Sequence, residues 1–107
     1  MKKVHLNIED IFNVPGSEIF EPDKLKNINY VSIDSRKIKP KTLFIALKGE
    51  RFDGHNFAND AIKNGAAAIV INKNRLNQFN DVTVPIVTVK DTKLALGDIA
   101  RIWRKKI

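Results

Sequence analysis

The stretch LFIALKGERFDGHNFANDAIKNGAAAIVI, residues 43–71, decides the fold of this chain. It opens with the continuously apolar run 43–47, which is bounded by loop residues and too short for a helix, so it predicts a strand buried on both faces. Residues 56–65 place apolar side chains on one helical face, with Asn56 as the N-cap and an Asn-Gly pair at the end. The run AAAIVI at 66–71 predicts the next buried strand. This strand–helix–strand order indicates a parallel sheet covered by helices.

The residues on either side extend the pattern. YVSID at 30–34 alternates apolar and polar residues and predicts a strand, and PIVTV at 85–89 predicts another, with proline at its first position. Asp91 is the expected N-cap of a helix that ends in basic residues, and a short helix is expected at 8–14. Residues 72–84 are Asn-rich and polar and predict a loop with room for one turn of helix. The prediction is an α/β fold, a single three-layer domain with a mostly parallel sheet of 4–5 strands and helices on its faces.

Length and composition limit the class of protein. The chain has 107 residues, of which 43% are hydrophobic and 29% charged, which suits one globular domain. It contains no cysteine, so a reducing compartment and a cytoplasmic localisation are expected. No segment approaches the roughly 20 apolar residues that a bilayer crossing requires, so no membrane partner is expected.

The formal charge of +7 raises the possibility of a nucleic-acid partner. The lysines and arginines are scattered, however, and their densest group lies at the C-terminus, where cations suit the negative end of a helix. We therefore expect no nucleic acid as partner, and a basic nucleic-acid-binding domain remains the third alternative.

Gly49 and Gly54 have the spacing of a phosphate-binding loop, G-x-x-x-x-G-K-[ST]. His55 and Asn56 stand where that loop needs a lysine and a hydroxyl residue, so an ATP loop is not expected here. Asp53-Gly54 is instead a strong signal for a turn between a strand and a helix. For His55 we favour a residue that hydrogen-bonds its own loop over a general base or a metal ligand, since its only companion histidine is at position 5.

Two loops that follow predicted strands carry the candidate binding residues. Ligands of open α/β sheets bind outside the carboxyl ends of the strands. If the two strands are parallel neighbours, Arg36, Lys48 and Arg51 supply three cations at one edge, with Ser35 as a hydrogen-bonding group and Phe52 as a flat apolar surface. A planar base against an aromatic ring and phosphates against guanidinium groups would suit such a site, so a nucleotide is the expected ligand.

The segment DSRKIKPKTLFIALKGERFDGHNFANDAIKNGAAAIVI closely resembles the N-terminal domain of the Mur ligases of peptidoglycan synthesis. ALKGERFDGH, with VKDTKLALGDIARIWR later in the chain, is most similar to the branch that adds D-alanyl-D-alanine to UDP-MurNAc-tripeptide (MurF type). The branch that adds the third amino acid (MurE type) shares the DSR and DGH elements and comes second. The resemblance covers about residues 30–106.

The resemblance implies that this domain binds the UDP end of UDP-MurNAc-tripeptide. The positions that match the family's uridine-diphosphate contacts are Ile33, Ser35, Glu50, Arg51 and Phe52, with Arg36 as a further diphosphate or structural contact. In the family, ATP and Mg²⁺ bind a central domain, and a C-terminal domain completes the site for D-Ala-D-Ala.

Residues 1–107 are accordingly expected to be a UDP-substrate-binding N-terminal domain that lacks the central ATPase and C-terminal domains. No catalytic residue, metal site or cofactor is expected in this fragment. One departure is visible: the family usually reads Pro-Gly-Asp before the Leu-Phe strand, where this chain has Pro40-Lys41-Thr42. A freestanding nucleotide-binding α/β module is the other alternative.

Overall fold

The computed structural model describes residues 2–107, which form one five-stranded sheet with helices on both faces. The strands lie in the order β1-β5-β4-β3-β2. Strands β2 to β5 run parallel to one another, and β1 pairs antiparallel with β5. The strand bounds are β1 Glu18–Phe20, β2 Tyr30–Ser32, β3 Thr42–Ile45, β4 Ala68–Asn72 and β5 Ile86–Val89.

Three α-helices and three 3-10 helices connect and cover the strands in this part of the chain. The α-helices are α1 Ile8–Phe12, α2 Ala58–Lys63 and α3 Thr92–Lys106. The 3-10 helices are Pro22–Lys24, Gly54–Phe57 and Lys73–Phe79. Asp91 caps α3 by accepting hydrogen bonds from the backbone N–H groups of Lys93 and Leu94 at 2.8 and 3.3 Å, as the sequence predicted.

The two faces of the sheet support separate hydrophobic clusters. Alternate residues of a strand point to opposite faces. Leu43 and Ile45 of β3 therefore pack on the side of α1 and α3, whereas Phe44 packs on the side of α2 and the 3-10 helix Lys73–Phe79. All four residues of β3 are buried, which explains its continuously apolar sequence. The predicted three-layer α/β fold with a mostly parallel sheet is confirmed.

Several local predictions were wrong. Strand β1 was not anticipated, because only the central residue of its three, Ile19, is partly buried and no alternation can be recognised in so short a segment. The segment 72–84, predicted as a loop with room for one helical turn, contains a longer helical element, the seven-residue 3-10 helix Lys73–Phe79. Asn56 does not cap a helix; Asp53, three residues earlier, caps the 3-10 turn by accepting a hydrogen bond from the His55 N–H.

The parallel arrangement brings the loops after β2, β3 and β4 to one edge of the sheet. β2 and β3 are adjacent and in register, with Ser32 opposite Phe44. The loops that follow them therefore begin side by side, as the prediction of a shared edge required. Within residues 2–107 no helix is both long enough and apolar enough to cross a bilayer.

Candidate functional site

The loop after β2 is held by a compact set of side-chain hydrogen bonds. The Asp34 carboxylate accepts from the Arg36 backbone N–H at 2.9 Å and from Arg36 Nε and Nη2 at 3.1 Å each. These hydrogen bonds from Arg36 lower the pKa of Asp34 to about 2. The Ser32 hydroxyl bonds the backbone of Asp34 on both sides, donating to its carbonyl and accepting from its N–H. The bond from the Arg36 backbone N–H makes this loop an Asx-type turn at Asp34.

Ser35 and Arg36 both keep side-chain hydrogen-bond donors that other residues of the described chain do not occupy. Ser35 is only 8% exposed, and the Asn64 side-chain amide donates to its carbonyl oxygen at 2.8 Å. The Ser35 hydroxyl forms no hydrogen bond with any described residue. The Arg36 side chain is 86% exposed, and a guanidinium has more N–H groups than the two that Asp34 accepts from. Both residues can still donate to a ligand.

The loop after β3 folds back on itself before the chain enters its first helical turn. Lys48 and Asp53 form an antiparallel bridge, and the Gly49 N–H donates to the Phe52 carbonyl at 2.7 Å. Gly54 then packs directly on the strand end: a Cβ at this position would lie 2.8 and 2.9 Å from the backbone N and O of Leu47. Gly54 is thus required by close backbone contact rather than by phosphate binding.

Asp53 anchors the end of this loop. Its carboxylate accepts from Arg75 Nη1 at 2.7 Å, from His55 Nδ1 at 2.7 Å and from the His55 backbone N–H at 3.0 Å. Burial acts to raise the pKa of Asp53, but the hydrogen bonds from Arg75 and His55 outweigh it and hold the pKa well below its ordinary value.

His55 connects Asp53 to the neighbouring strand β4. Its side chain is fully buried, and its Nε2 accepts from the Asn72 backbone N–H at 3.0 Å. Because Nε2 is an acceptor, Nδ1 carries the proton that it donates to Asp53. His55 therefore bonds its own loop, as favoured from the sequence, and also β4, which the sequence did not indicate.

The two loops enclose a groove of about 920 Å³ at the carboxyl edge of the sheet. Phe52 and Phe57 form part of its apolar wall, with ring centroids 5.3 Å apart and planes inclined by 7°. Ile33, Phe52 and Phe57 are 47%, 52% and 38% exposed, so the groove presents uncovered apolar surface. The lining residues are Val31, Ser32, Ile33, Asp34, Ser35, Arg36, Lys37, Phe52, Phe57 and Asp60.

Four of the six predicted binding residues line this groove, namely Ile33, Ser35, Arg36 and Phe52. Glu50 and Arg51 do not; both are exposed in the loop that carries Phe52, and so is Lys48.

Lys37, Phe57 and Asp60 line the groove without having been proposed. The sequence pattern places Phe57 on the apolar face of the helix predicted at 56–65, but Phe57 belongs to the 3-10 turn before α2. The 3-10 repeat of three residues shifts it off the face that a 3.6-residue repeat predicts. Lys37 follows directly after the DSR motif, which could have drawn attention to it.

No group of three or more His, Asp or Glu side chains lies close enough together to hold a metal ion in the part of the chain that the structure describes.

The groove offers hydrogen-bond donors, the guanidinium of Arg36, which can form two parallel hydrogen bonds, and an aromatic wall. That combination can bind a planar, anionic small molecule, since the aromatic surface supports a ring and the guanidinium an anionic oxygen.

Comparisons with known proteins agree with this architecture. Residues 27–104 match the family model described as "Mur ligase family, catalytic domain". The UDP-N-acetylmuramoyl-tripeptide–D-alanyl-D-alanine ligase of Buchnera aphidicola subsp. Acyrthosiphon pisum is 40% identical over 103 residues, which cover 96% of this chain and 21% of that protein. The UDP-N-acetylmuramoyl-L-alanyl-D-glutamate–2,6-diaminopimelate ligase of Listeria monocytogenes serotype 4b is also 40% identical, over 84% of this chain and 16% of that protein.

Among solved structures, MurF of Acinetobacter baumannii superposes with a TM-score of 0.80 and 26% identity, over 99% of this chain and 22% of that one. The chain thus spans about a fifth of the length of these relatives. A family model that covers most of the chain and relatives at 40% identity confirm the resemblance that the motifs indicated. The chain belongs to the Mur ligase family.

Proposed function

We propose that the groove binds the uridine diphosphate end of UDP-MurNAc-tripeptide, and that residues 1–107 are the UDP-substrate-binding N-terminal domain of a ligase that adds D-Ala-D-Ala. The observation that carries the proposal is the groove itself. It joins exposed aromatic surface at Phe52 and Phe57 to the unbonded hydroxyl of Ser35 and the exposed guanidinium of Arg36.

Each part of the groove suits a different part of the nucleotide. The stacked Phe52 and Phe57 rings and the Ile33 side chain offer an apolar surface for the base. Ser35 has a hydroxyl available for a hydrogen bond to the ligand. Arg36 keeps N–H groups free beyond its contacts with Asp34, and a guanidinium can bind phosphate oxygens with two parallel hydrogen bonds.

Glu50 and Arg51 enter the proposal through the family resemblance. They are exposed, and they precede Phe52 in the loop that Lys48 and Asp53 close. Arg51 forms no ion pair within residues 2–107, so its guanidinium is available for the diphosphate. We propose that both residues contribute to the diphosphate end of the site.

The chemical step would take place outside these 107 residues. In the ligase that we propose, ATP and Mg²⁺ bind a central domain that activates the peptide carboxylate, and D-Ala-D-Ala attacks the activated carboxylate. The present domain would contribute no catalytic group. By holding the nucleotide end, it would fix the distant carboxylate, so that remote binding energy lowers the entropic part of the barrier. The protein would act in cytoplasmic peptidoglycan precursor synthesis.

A ligase that adds the third amino acid is the second candidate. It is supported by the Listeria relative, whose 40% identity equals that of the Buchnera D-Ala-D-Ala ligase. Both candidates assign the same UDP site to this domain. The two are distinguished by which amino acid or dipeptide the complete protein adds to its UDP-linked substrate.

The test of the proposed site is a calorimetric titration of the 107-residue chain with UDP, ADP and a short DNA duplex. We expect saturable binding of UDP, weaker binding of ADP and no salt-sensitive binding of DNA. Tight DNA binding that falls steeply with salt, without any response to UDP, would support a nucleic-acid-binding domain instead. Equal affinity for UDP and ADP would favour a general nucleotide-binding module.

A further inference from the structure

A chain of partly buried hydrogen bonds connects the loop that carries Phe52 to strand β4 and helix α3. Asp53, the next residue after Phe52, accepts from Arg75 and from His55 Nδ1, at 2.7 Å in each case. His55 Nε2 accepts from the backbone N–H of Asn72, the last residue of β4. The Asn72 side chain in turn accepts from the Thr92 backbone N–H at 3.0 Å, at the first residue of α3.

We propose that His55 is a positioning residue for the groove: by donating from Nδ1 to Asp53 while it accepts at Nε2 from β4, it holds the Phe52 loop in its ligand-ready position. The ligand part of this proposal rests on the proposed function, whereas the loop-ordering part does not. His55 itself does not line the groove, so it would act only through Asp53 and Phe52.

Burial and geometry favour this role. The His55 side chain is fully buried, and Asp53 and Arg75 are 19% and 18% exposed at their side chains, so water competes little for these hydrogen bonds. Apart from the hydrogen bonds of Asp53, the loop between Lys48 and Asp53 is held by two backbone hydrogen bonds, from Gly49 to Phe52 and from Gly54 to Leu47, and by the stacking of Phe52 on Phe57. Release of Asp53 would therefore loosen the residues that form one wall of the groove.

The two nitrogens of His55 can be replaced separately. In His55→Asn the amide nitrogen lies near the position of Nδ1, so it can still donate to Asp53 but cannot reach the Asn72 N–H. In His55→Gln the amide oxygen lies near the position of Nε2, so it can accept from Asn72 but leaves Asp53 without this donor. Each variant loses one of the two buried hydrogen bonds, and they form a matched pair.

Amide hydrogen exchange of the 107-residue chain without ligand measures how firmly the loop that carries Phe52 is held. The Gly49 and Gly54 N–H groups donate to the Phe52 and Leu47 carbonyls. We expect their exchange to accelerate about tenfold in His55→Gln, as loss of a hydrogen bond to a charged group implies, and to change less than about threefold in His55→Asn. Exchange at the Val70 N–H in β4 normalises each variant for global stability. Equal acceleration in both variants after this normalisation, or none in either, would overturn the positioning role.

Binding of UDP and a second substitution complete the test. We expect the Kd for UDP to rise about tenfold in His55→Gln and to stay within about threefold in His55→Asn. If the parent chain does not bind UDP, the proposed function fails while the exchange result still decides the positioning role. Arg75→Gln removes the other side-chain donor to Asp53 from a partly exposed position, so it keeps the proposal testable if a His55 variant does not fold. Amide exchange at Gly49 and Gly54 is expected to accelerate in this variant too. Unchanged exchange would contradict the role of Asp53 in holding the loop.

Discussion

The rings of Phe52 and Phe57 stack in parallel, with centroids 5.3 Å apart, although the two residues lie on opposite sides of the Asp53–His55 turn. Between them, Gly54 packs against the backbone of Leu47 at a distance that excludes a side chain. Phe52 is 52% exposed and Phe57 38% exposed, so the pair is not part of either hydrophobic core. Exposed stacked rings beside a groove are suited to supporting a nucleobase.

Phe52→Ala is expected to weaken UDP binding by about tenfold or more, since base–aromatic stacking contributes roughly 1–3 kcal/mol. The melting temperature should change little, because the ring is half exposed. Isothermal titration and differential scanning calorimetry measure the two quantities. Phe20→Ala, in edge strand β1 on the far side of the sheet, is the matched control and should leave UDP binding unchanged. An unchanged Kd in Phe52→Ala would remove the ring from the binding site.

Arg51→Ala should weaken UDP binding by about fivefold, the effect of one solvent-exposed hydrogen bond. Uridine, which lacks the diphosphate, should bind the variant and the parent chain equally. Phe52→Ala should by contrast weaken both ligands, so the two titrations separate phosphate contacts from base contacts. Arg104→Ala, near the C-terminal end of α3, controls for the loss of one positive charge. A similar loss of uridine affinity in Arg51→Ala would indicate that Arg51 acts on loop structure instead.

Gly54→Ala should destabilise the fold by about 1–3 kcal/mol, because the added Cβ overlaps backbone atoms that cannot rotate away. The contacts that it would make are 2.8 and 2.9 Å to Leu47 and 3.1 Å to the Ala46 Cα. Gly97→Ala is the matched control: apart from its chain neighbours and the backbone of its own helix, nothing lies within 4 Å of its Cβ position in α3, so it should stabilise the chain by about 1 kcal/mol. Urea unfolding of both variants measures the difference, and equal effects would contradict the close approach at Gly54.

The ion pair between Asp34 and Arg36 gives a pH-dependent prediction. Arg36 lowers the pKa of Asp34 from 3.8 to about 2 in the folded chain, so the pair stabilises the fold fully above 3.8 and loses this effect as the pH falls through 2. The melting temperature of the parent chain should therefore exceed that of Asp34→Asn near neutral pH, and the difference should shrink between these two values. Asp81→Asn, at an exposed site without an ion pair in the described chain, controls for the loss of one carboxylate. A difference that stays constant down to pH 2 would contradict the assignment.

The sequence was sufficient for the parallel part of the sheet and for the edge where the loops after β2 and β3 meet, because buried parallel strands such as β3 require continuous apolar runs that few other structures need. It was not sufficient for β1, which is held mainly by backbone pairing with β5. The position of Phe57 depended on a 3-10 turn that the side-chain pattern does not distinguish from the start of an α-helix. The exposure of Glu50 and Arg51 outside the groove follows from the closed Lys48–Asp53 loop, which only the three-dimensional structure shows.

Lys41 occupies a backbone conformation that a glycine would adopt with less strain. Its φ is +66°, in the left-handed region, and its carbonyl accepts from the Asn29 and Tyr30 N–H groups, which holds the turn before β3. This is the position at which the family resemblance predicts glycine. The Thr42 hydroxyl, next in the chain, accepts from the Lys39 N–H at 3.1 Å, so the turn keeps a side-chain acceptor at the adjacent position.

We expect Lys41→Gly to stabilise the chain by about 0.5–1 kcal/mol, since the left-handed conformation costs a non-glycine residue about 1–2 kcal/mol and the greater unfolded-state freedom of glycine offsets part of the gain. Lys41→Ala is the control, because it removes the same charge and stem but keeps the Cβ that causes the strain. Urea unfolding of the three proteins should place Lys41→Gly above the parent chain and Lys41→Ala at or below it. If alanine stabilised the chain as much as glycine, the effect would come from loss of the lysine charge among the neighbouring basic residues, and the strain at position 41 would be excluded as its cause.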